Sequence, residues 1–351
     1  MITDHSIAFD AQVLNLIAEL DEFKGRWEAL GRLAPEVLAT LRRVATIESV
    51  GSSTRIEGAR LSDQEVEVLL GNLEMRSFRS RDEEEVAGYA EAMNTVFESF
   101  DHIPITENYV KQLHGMLLKY SSKDDSHRGE YKKLANNVEA FDADGRSLGV
   151  IFETASPFET PHIMAQWVEW TARALSERAL HPILVIAAAV VHILAIHPFQ
   201  DGNGRLSRIL TTLLMLKNGY SYVPYSSLER IVEENKESYY RALRASQKRI
   251  RTNEENLDAW IRFFLRILKQ QKDTLLRKVE REQFLGRVPM AAQRVLVLVR
   301  ERGRITIADV VTLLQMNKNT AKLHLRQLVN QGYLIQQGRG RATWYTLGRS
   351  L

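Results

Sequence analysis

Apolar residues recur three and four apart through residues 9–30 and 36–57, the spacing of a helix with one buried face. The same rhythm returns over 83–100, 107–119, 160–177, 203–218, 228–247 and 256–280 and predicts a helix over each. Residues 183–196, ILVIAAAVVHILAI, are apolar on every side, which predicts a helix buried all round. That run is too short to span a bilayer, and its one histidine, His192, reads as structural. Ser62-Asp63-Gln64-Glu65 has the form of a capping box, in which Ser62 meets a free amide and Glu65 reaches back. Residues 136–161 break the helical rhythm. Short alternating runs flank Asp144-Gly145 there, a hairpin signal, and a lone hairpin needs something to lie against. Composition changes again near Gly286-Arg287-Val288-Pro289. A helix over 290–302 follows, then a helix start marked by Thr306 and Asp309, a turn at Met316-Asn317 and a helix over 318–331. Two short strands around Gly338-Arg339-Gly340 complete the order of a winged helix-turn-helix.

Bulk properties narrow the class. A chain of 351 residues, 44% hydrophobic and 26% charged, is expected to form two or three soluble domains with a sizeable core. It contains no cysteine, which excludes disulfides and thiolate metal sites and fits a reducing compartment. No secretory leader is visible at the N-terminus, so a cytoplasmic protein without a membrane segment is expected. The net charge of +3 hides an asymmetry: residues 288–351 hold ten Lys/Arg against Glu301 and Asp309, hence +8, leaving −5 for the rest. The C-terminus is a separate electrostatic unit.

Chemistry is densest in HPFQDGNGRLSR, residues 197–208. Gly202-Asn203-Gly204 leads into the helical pattern RLSRILTTLLML, where glycine backbone and a helix N-terminus favour an anion. Arg205 and Arg208, three apart, are expected to share a side and reach successive phosphates. Asp201 beside this cradle is placed to hold Mg²⁺ on phosphate oxygens. His197 is a base for a hydroxyl near neutral pH. A lone GNG is commonly a turn, and two arginines three apart are commonly a solvated face. Base, anion cradle, carboxylate and arginines in one run describe phosphoryl or nucleotidyl transfer.

The run also resembles the Fic signature, HPFx(D/E)GNGRxxR, at every defined position. The resemblance implies a mainly α protein: a Fic helical fold with a β-hairpin flap, then the winged helix. It implies transfer of AMP from ATP, with Mg²⁺, to a Ser, Thr or Tyr hydroxyl of a target protein, which includes the chain itself. His197 becomes the general base and Asp201 the metal ligand. Gly202, Asn203, Gly204, Arg205, Leu206, Ser207 and Arg208 become the phosphate-binding run, with Arg205 and Arg208 on the β- and γ-phosphates and Phe199 anchoring the loop. Gly204 stands where the kinase branch of the family has lysine, which favours the AMP-transferring pose. The hairpin resembles the flap that holds a target segment by strand addition, so Phe152, Glu153, Thr154 and Ala155 at its end should border the nucleotide. ESYYRAL at 237–243 is similar to a family helix whose tyrosines line the adenine pocket. That implies Tyr239 and Tyr240, and Gln247 two turns on.

A guard lies upstream. Ser53-x-x-x-Glu57-Gly58 resembles the inhibitory motif of the branch with an N-terminal inhibitory helix, and Gly58 is a natural helix stop. The resemblance implies that Glu57 competes with the γ-phosphate for Arg208 through a bidentate pair, misaligning ATP for attack, with Ser53 steadying the helix. A carboxylate at that point is equally suited to orient water for removal of AMP from a modified protein. The expected organisation is an N-terminal helical region over 1–105 with the inhibitory helix at about 36–58, a core over 106–250, a helical connector over 251–287 and the winged helix over 288–351. On the last, Lys318, Asn319, Lys322 and Arg326, with Arg339 and Arg341 on the wing, are candidate nucleic-acid contacts. Such domains also serve as dimerisation or docking modules, so a homodimer, or a DNA-binding regulator with a nucleotide-sensing module, are the other readings.

Overall fold

The computed structural model describes residues 10–29, 35–72, 77–136, 138–141, 147–250, 252, 254–287 and 290–348. Side-chain surroundings are defined for these except residues 29, 138–141, 147–151, 282–287, 290 and 341. The architecture is mainly helical. Helices α1 (Ala11–Ala29), α2 (Pro35–Ile56), α3 (Asp63–Gly71), α4 (Arg81–Ser99) and α5 (Glu107–Leu117) precede an antiparallel hairpin, β1 (Val138–Phe141) and β2 (Ser147–Phe152). Then come α6 (Thr160–Glu177), α7 (Pro182–Ile196), α8 (Asn203–Lys217), α9 (Leu228–Glu234), α10 (Lys236–Gln247) and α11 (Asp258–Arg287). The described residues fall into two compact units divided at Leu275/Leu276.

α7 is the axis of the first unit. Every residue from Ile183 to Ile196 is buried, as a helix apolar on all sides requires, and α6 and α8 pack along it. Two tryptophans clamp it: Trp167 Nε1 donates to the Ala189 carbonyl at 2.8 Å and Trp260 Nε1 to that of Ala187 at 2.7 Å. His192 is structural, its Nδ1 2.7 Å from the Ala188 carbonyl and its Nε2 3.1 Å from Glu255. Ser62 and Glu65 form the expected capping box at the start of α3. One helical expectation is corrected. Residues 228–247 form two helices, because the Asn235 side chain turns back onto the Ile231 carbonyl at 2.8 Å and caps α9, the competition with backbone that disfavours asparagine inside helices. The hairpin pairs Val138 with Phe152 and Phe141 with Ser147, with two register shifts between. Asp144-Gly145, expected at its turn, lies outside the described residues.

The second unit contains α12 (Met290–Arg302), α13 (Ile307–Leu313), α14 (Lys318–Asn330) and the hairpin β3 (Leu334–Gln337)–β4 (Trp344–Leu347). Thr306 and Asp309 form a capping box on α13, and Asn317 caps α14. Ile305 bridges to Tyr345 as a short third strand. Val295, Val299, Val310, Leu325, Leu328 and Leu334 make a core of their own. Gly338 has φ 79°, and a Cβ there would strike the Ala342 carbonyl, so the wing turn needs glycine. No helix among the described residues is long and apolar enough to cross a membrane.

Candidate functional site

The loop 197–202 is shaped by what stops α7. His197 takes the left-handed conformation, φ 53° and ψ 59°, while its amide still bonds the Ile193 carbonyl. The chain therefore turns sharply at the histidine. Phe199 is fully buried and stacked 3.8 Å from the His114 ring at an 11° interplanar angle. Asn203 closes the loop: its Oδ1 accepts from the Phe199 amide at 2.9 Å and its Nδ2 donates to the Phe199 carbonyl at 2.7 Å. His114 braces the far side. Its Nδ1 accepts from the Gly129 amide at 3.0 Å, so its Nε2 carries the proton and donates to the Asp201 carbonyl at 3.0 Å. Burial holds the His114 pKa down at about 4, which keeps this neutral tautomer. Gly202, at φ 78°, begins α8. The first-turn amides of that helix have no intrahelical acceptor, the arrangement an anion cradle requires.

His197 is half-buried. Its Nδ1 lies 3.3 Å from the Leu194 carbonyl, and donation there leaves Nε2 with its lone pair. Burial pushes its pKa down to about 4; Lys132 acts in the same direction, while the Leu194 carbonyl, Glu57 and Asp201 oppose it. The imidazole is thus neutral at physiological pH. Asp201 lies on the loop with its Oδ2 3.0 Å from Arg81 and 3.5 Å from Arg205, and its Oδ1 accepts from the Gly202 amide at 2.6 Å.

The two arginines do not act as a pair. Arg205 is 2% exposed, and its guanidinium lies 2.9 Å from Glu85 on α4. It is therefore a buried partner of Glu85 and Asp201. Arg208 turns the other way, to α2. Its Nε donates to Ser53 Oγ at 2.8 Å, and its Nη2 donates to the Ser53 carbonyl at 2.9 Å and to Glu57 Oε1 at 2.8 Å. The Glu57–Arg208 contact is single rather than bidentate, because Ser53 takes the other edge of the guanidinium. The Nη1 of Arg208 is buried with no hydrogen-bond partner among the described residues. A Cβ on Gly204 would collide with the Glu57 carboxylate, so Glu57 lies against the cradle itself. Gly58 follows at φ 109°, just past the end of α2.

Three more residues of this run are tied within the protein. Leu206 is core, 1% exposed, and its amide serves the Gly202 carbonyl. The Ser207 hydroxyl donates to the Gly204 carbonyl at 2.7 Å. The Asn203 side chain is spent on Phe199, leaving only its backbone for an anion. Tyr239 and Tyr240 meet edge to face with centroids 5.1 Å apart, and both lie within the fields of Glu57 and Arg208. Burial raises both hydroxyls above their usual pKa. Gln247 is buried at the far end of α10, two turns on. At the hairpin's end Phe152 is half-buried, Glu153 exposed, and Thr154 and Ala155 buried.

Residues without a motif of their own complete the site. Lys132 is buried and donates to Asn136 Oδ1 and Thr154 Oγ1, each at 2.8 Å, and to the Ile196 carbonyl at 3.1 Å. Asn136 in turn donates to the Phe199 carbonyl at 2.6 Å and to that of His197 at 3.3 Å. His114, Lys132 and Asn136 come from segments 61–87 residues away from the loop they hold, and no spacing rule links them to it. In the second unit Lys318, Asn319, Lys322 and Arg326 are exposed on α14 and Arg339 on the wing; the Arg341 side chain lies outside the described residues.

Residues 104–215 match the model of the Fic/DOC family. Residues 268–343 match a family described as a bacterial protein of unknown function (DUF977). Curated proteins named protein adenylyltransferase Fic from Drosophila willistoni and Drosophila grimshawi are each 25% identical over 262 residues, 74% of this chain and 47% and 49% of theirs. The chain thus spans about half the length of the curated relatives it matches. A Fic family protein from Desulfovibrio desulfuricans has a solved structure with TM-score 0.60 at 20% identity, covering 98% of both chains. A Fic-domain signalling protein from Bacteroides thetaiotaomicron gives 0.60 at 23%, over 76% of this chain and 96% of its own. These two structures establish the fold. The loop, the helix that follows it and the family match all fall on the same residues, so residues 104–215 form a domain of the Fic/DOC family.

Proposed function

We propose that this protein transfers AMP from ATP to a Ser, Thr or Tyr hydroxyl of a protein and that Glu57 restrains it. The observation that carries the reading is the placement of Glu57, bonded to Arg208 and pressed against Gly204 of the anion cradle. In the reaction the hydroxyl gives its proton to His197 Nε2 as its oxygen attacks the α-phosphorus, and pyrophosphate leaves. The α8 amides hold the phosphate oxygens, and the charge developing there is met by dipoles already in place. Arg208 holds the terminal phosphates through Nη1 and, once Glu57 withdraws, Nη2. Tyr239 and Tyr240, beside Arg208, suit the adenine end. Mg²⁺ takes one or two carboxylates plus substrate phosphates; Asp201, partly exposed beside the cradle, fits that donor set and would hold it. The metal would supply neutralisation of phosphate charge.

The test uses labelled ATP. Glu57→Gly is expected to raise modification of the chain itself or of lysate proteins by on the order of 10²-fold, the effect of a small misplacement relieved. His197→Ala in the same background should abolish the gain. With Glu57→Gly, absence of any labelled band in both the chain itself and the lysate would refute the reading. A second reading has its own support, because the Glu57 carboxylate also bears on His197. Base and carboxylate across one site suit activation of a water, hence removal of AMP from a modified protein. Loss of AMP from a pre-modified target that requires Glu57 would favour it.

A further inference from the structure

A buried ammonium is costly unless its three N–H groups and its charge are met. Lys132 is 3% exposed and meets that demand in a particular place. Asn136 Oδ1 lies just before β1, Thr154 Oγ1 just after β2, and the Ile196 carbonyl on the last turn of α7. Thr154 also donates to Asn136 at 3.1 Å, so the two roots of the hairpin are joined above the ammonium. A cation at a helix C-terminus is favoured by the helix dipole. The backbone repeats the connection: the Lys132 amide donates to the Pro198 carbonyl at 2.9 Å, and Tyr131 bridges to Phe199. His197, held between Ile196 and Pro198, is in a left-handed conformation that a β-carbon disfavours.

We propose that Lys132 is a positioning residue for His197, tying both roots of the β1–β2 hairpin to the end of α7 and fixing the histidine in its left-handed aim. The proposal deepens the AMP-transfer reading and rests on it for the name of the step being aimed. Its charge has a second consequence. The groups facing His197 are Lys132 from the segment before β1, Glu57 from the end of α2, Asp201 from the loop and the Leu194 carbonyl from α7. Lys132 disfavours the imidazolium, and both carboxylates favour it. Once Glu57 withdraws from the cradle the balance moves toward the lysine, and the base stays neutral when it is needed.

The experiment places Lys132→Met and Lys132→Arg in full-length Glu57→Gly protein. The His197 imidazole is titrated by NMR, its signal assigned by comparison with His197→Gln, and AMP transfer is measured against ATP concentration. Lys132→Met is expected to move the His197 midpoint upward by about one unit. It should also lower kcat by roughly tenfold or more with KM for ATP little changed, since orientation rather than binding is lost. Lys132→Arg should hold the midpoint. A folded Lys132→Met protein with both the midpoint and kcat unmoved overturns the proposal. Should Lys132→Met not fold, Thr154→Val removes one partner and keeps the charge; kcat should fall while the midpoint stays, and an unchanged kcat counts against the proposal. The NMR arm needs no turnover, so absence of AMP transfer and failure of Lys132 to act on His197 are read separately.

Discussion

His197 carries a backbone conformation that costs a non-glycine residue roughly 1–3 kcal/mol, and the bonds around it are what make the cost tolerable. Its low pKa predicts the pH profile. A base works only when neutral, so activity of the Glu57→Gly protein should stay level from about pH 5 upward. It should fall only as the pH drops to about 4 or below, because burial sets that pKa and the substitution removes a carboxylate that raises it. An acid limb near the ordinary histidine value would show that bound substrate or solvent reverses the desolvation. Asn203 makes a different prediction. Asn203→Ala strands the buried Phe199 amide, while Asn136 still serves the carbonyl, and one unmet buried group costs about 1–3 kcal/mol. Thermal melting should register the loss, and AMP transfer should fall with it as the loop loosens. The sequence motif made His197, Asp201, Arg208 and Glu57 legible. It could not tell Arg208 from Arg205, because spacing along a helix gives a side and not a neighbour. Only the positions of α2 and α4 beside α8 send one guanidinium to Ser53 and Glu57 and the other to Glu85.

At the scale of elements, the end of α2 is fastened as firmly as the loop it faces. Arg55, two residues before Glu57, donates to both Glu233 oxygens on α9, at 2.7 and 3.1 Å, and to the Leu61 carbonyl at 2.9 Å. Arg230 joins Asp63 and Glu233 to this network, and Lys236 caps the Ile56 carbonyl at 2.8 Å. Bidentate, half-buried pairs of this kind exceed ordinary surface pairs in strength. Arg55→Gln should therefore loosen Glu57 and raise AMP transfer several-fold, and the same change in the Glu57→Gly background should add nothing. Gains in both backgrounds would place Arg55 in catalysis instead of restraint. The helices themselves were largely readable from periodicity and caps: α6 occupies 160–177 and α12 occupies 290–302, as the apolar spacing predicts. The break at Asn235 was not, because both halves keep one apolar rhythm and only the side chain's turn onto Ile231 interrupts the backbone.

Across the whole molecule, the charge asymmetry follows the C-terminal unit, whose exposed α14 cations stand apart from the Fic domain in sequence. If that face meets nucleic acid, replacing Lys318, Lys322 and Arg326 with glutamate should abolish salt-sensitive DNA binding in a mobility shift and leave AMP transfer intact. Binding unchanged by the triple substitution would assign those residues to ordinary surface. What the sequence determined by itself follows from local physics. Apolar period sets the helices, Gly338 sets the wing turn, and a twelve-residue run sets the loop and helix start at the candidate site. What the tertiary structure decided is which distant groups converge on that run. Lys132, His114, Asn136, Ser53 and Glu57 reach it only because a buried α7 fixes where its neighbours pack, and long-range packing leaves no periodic trace along the chain.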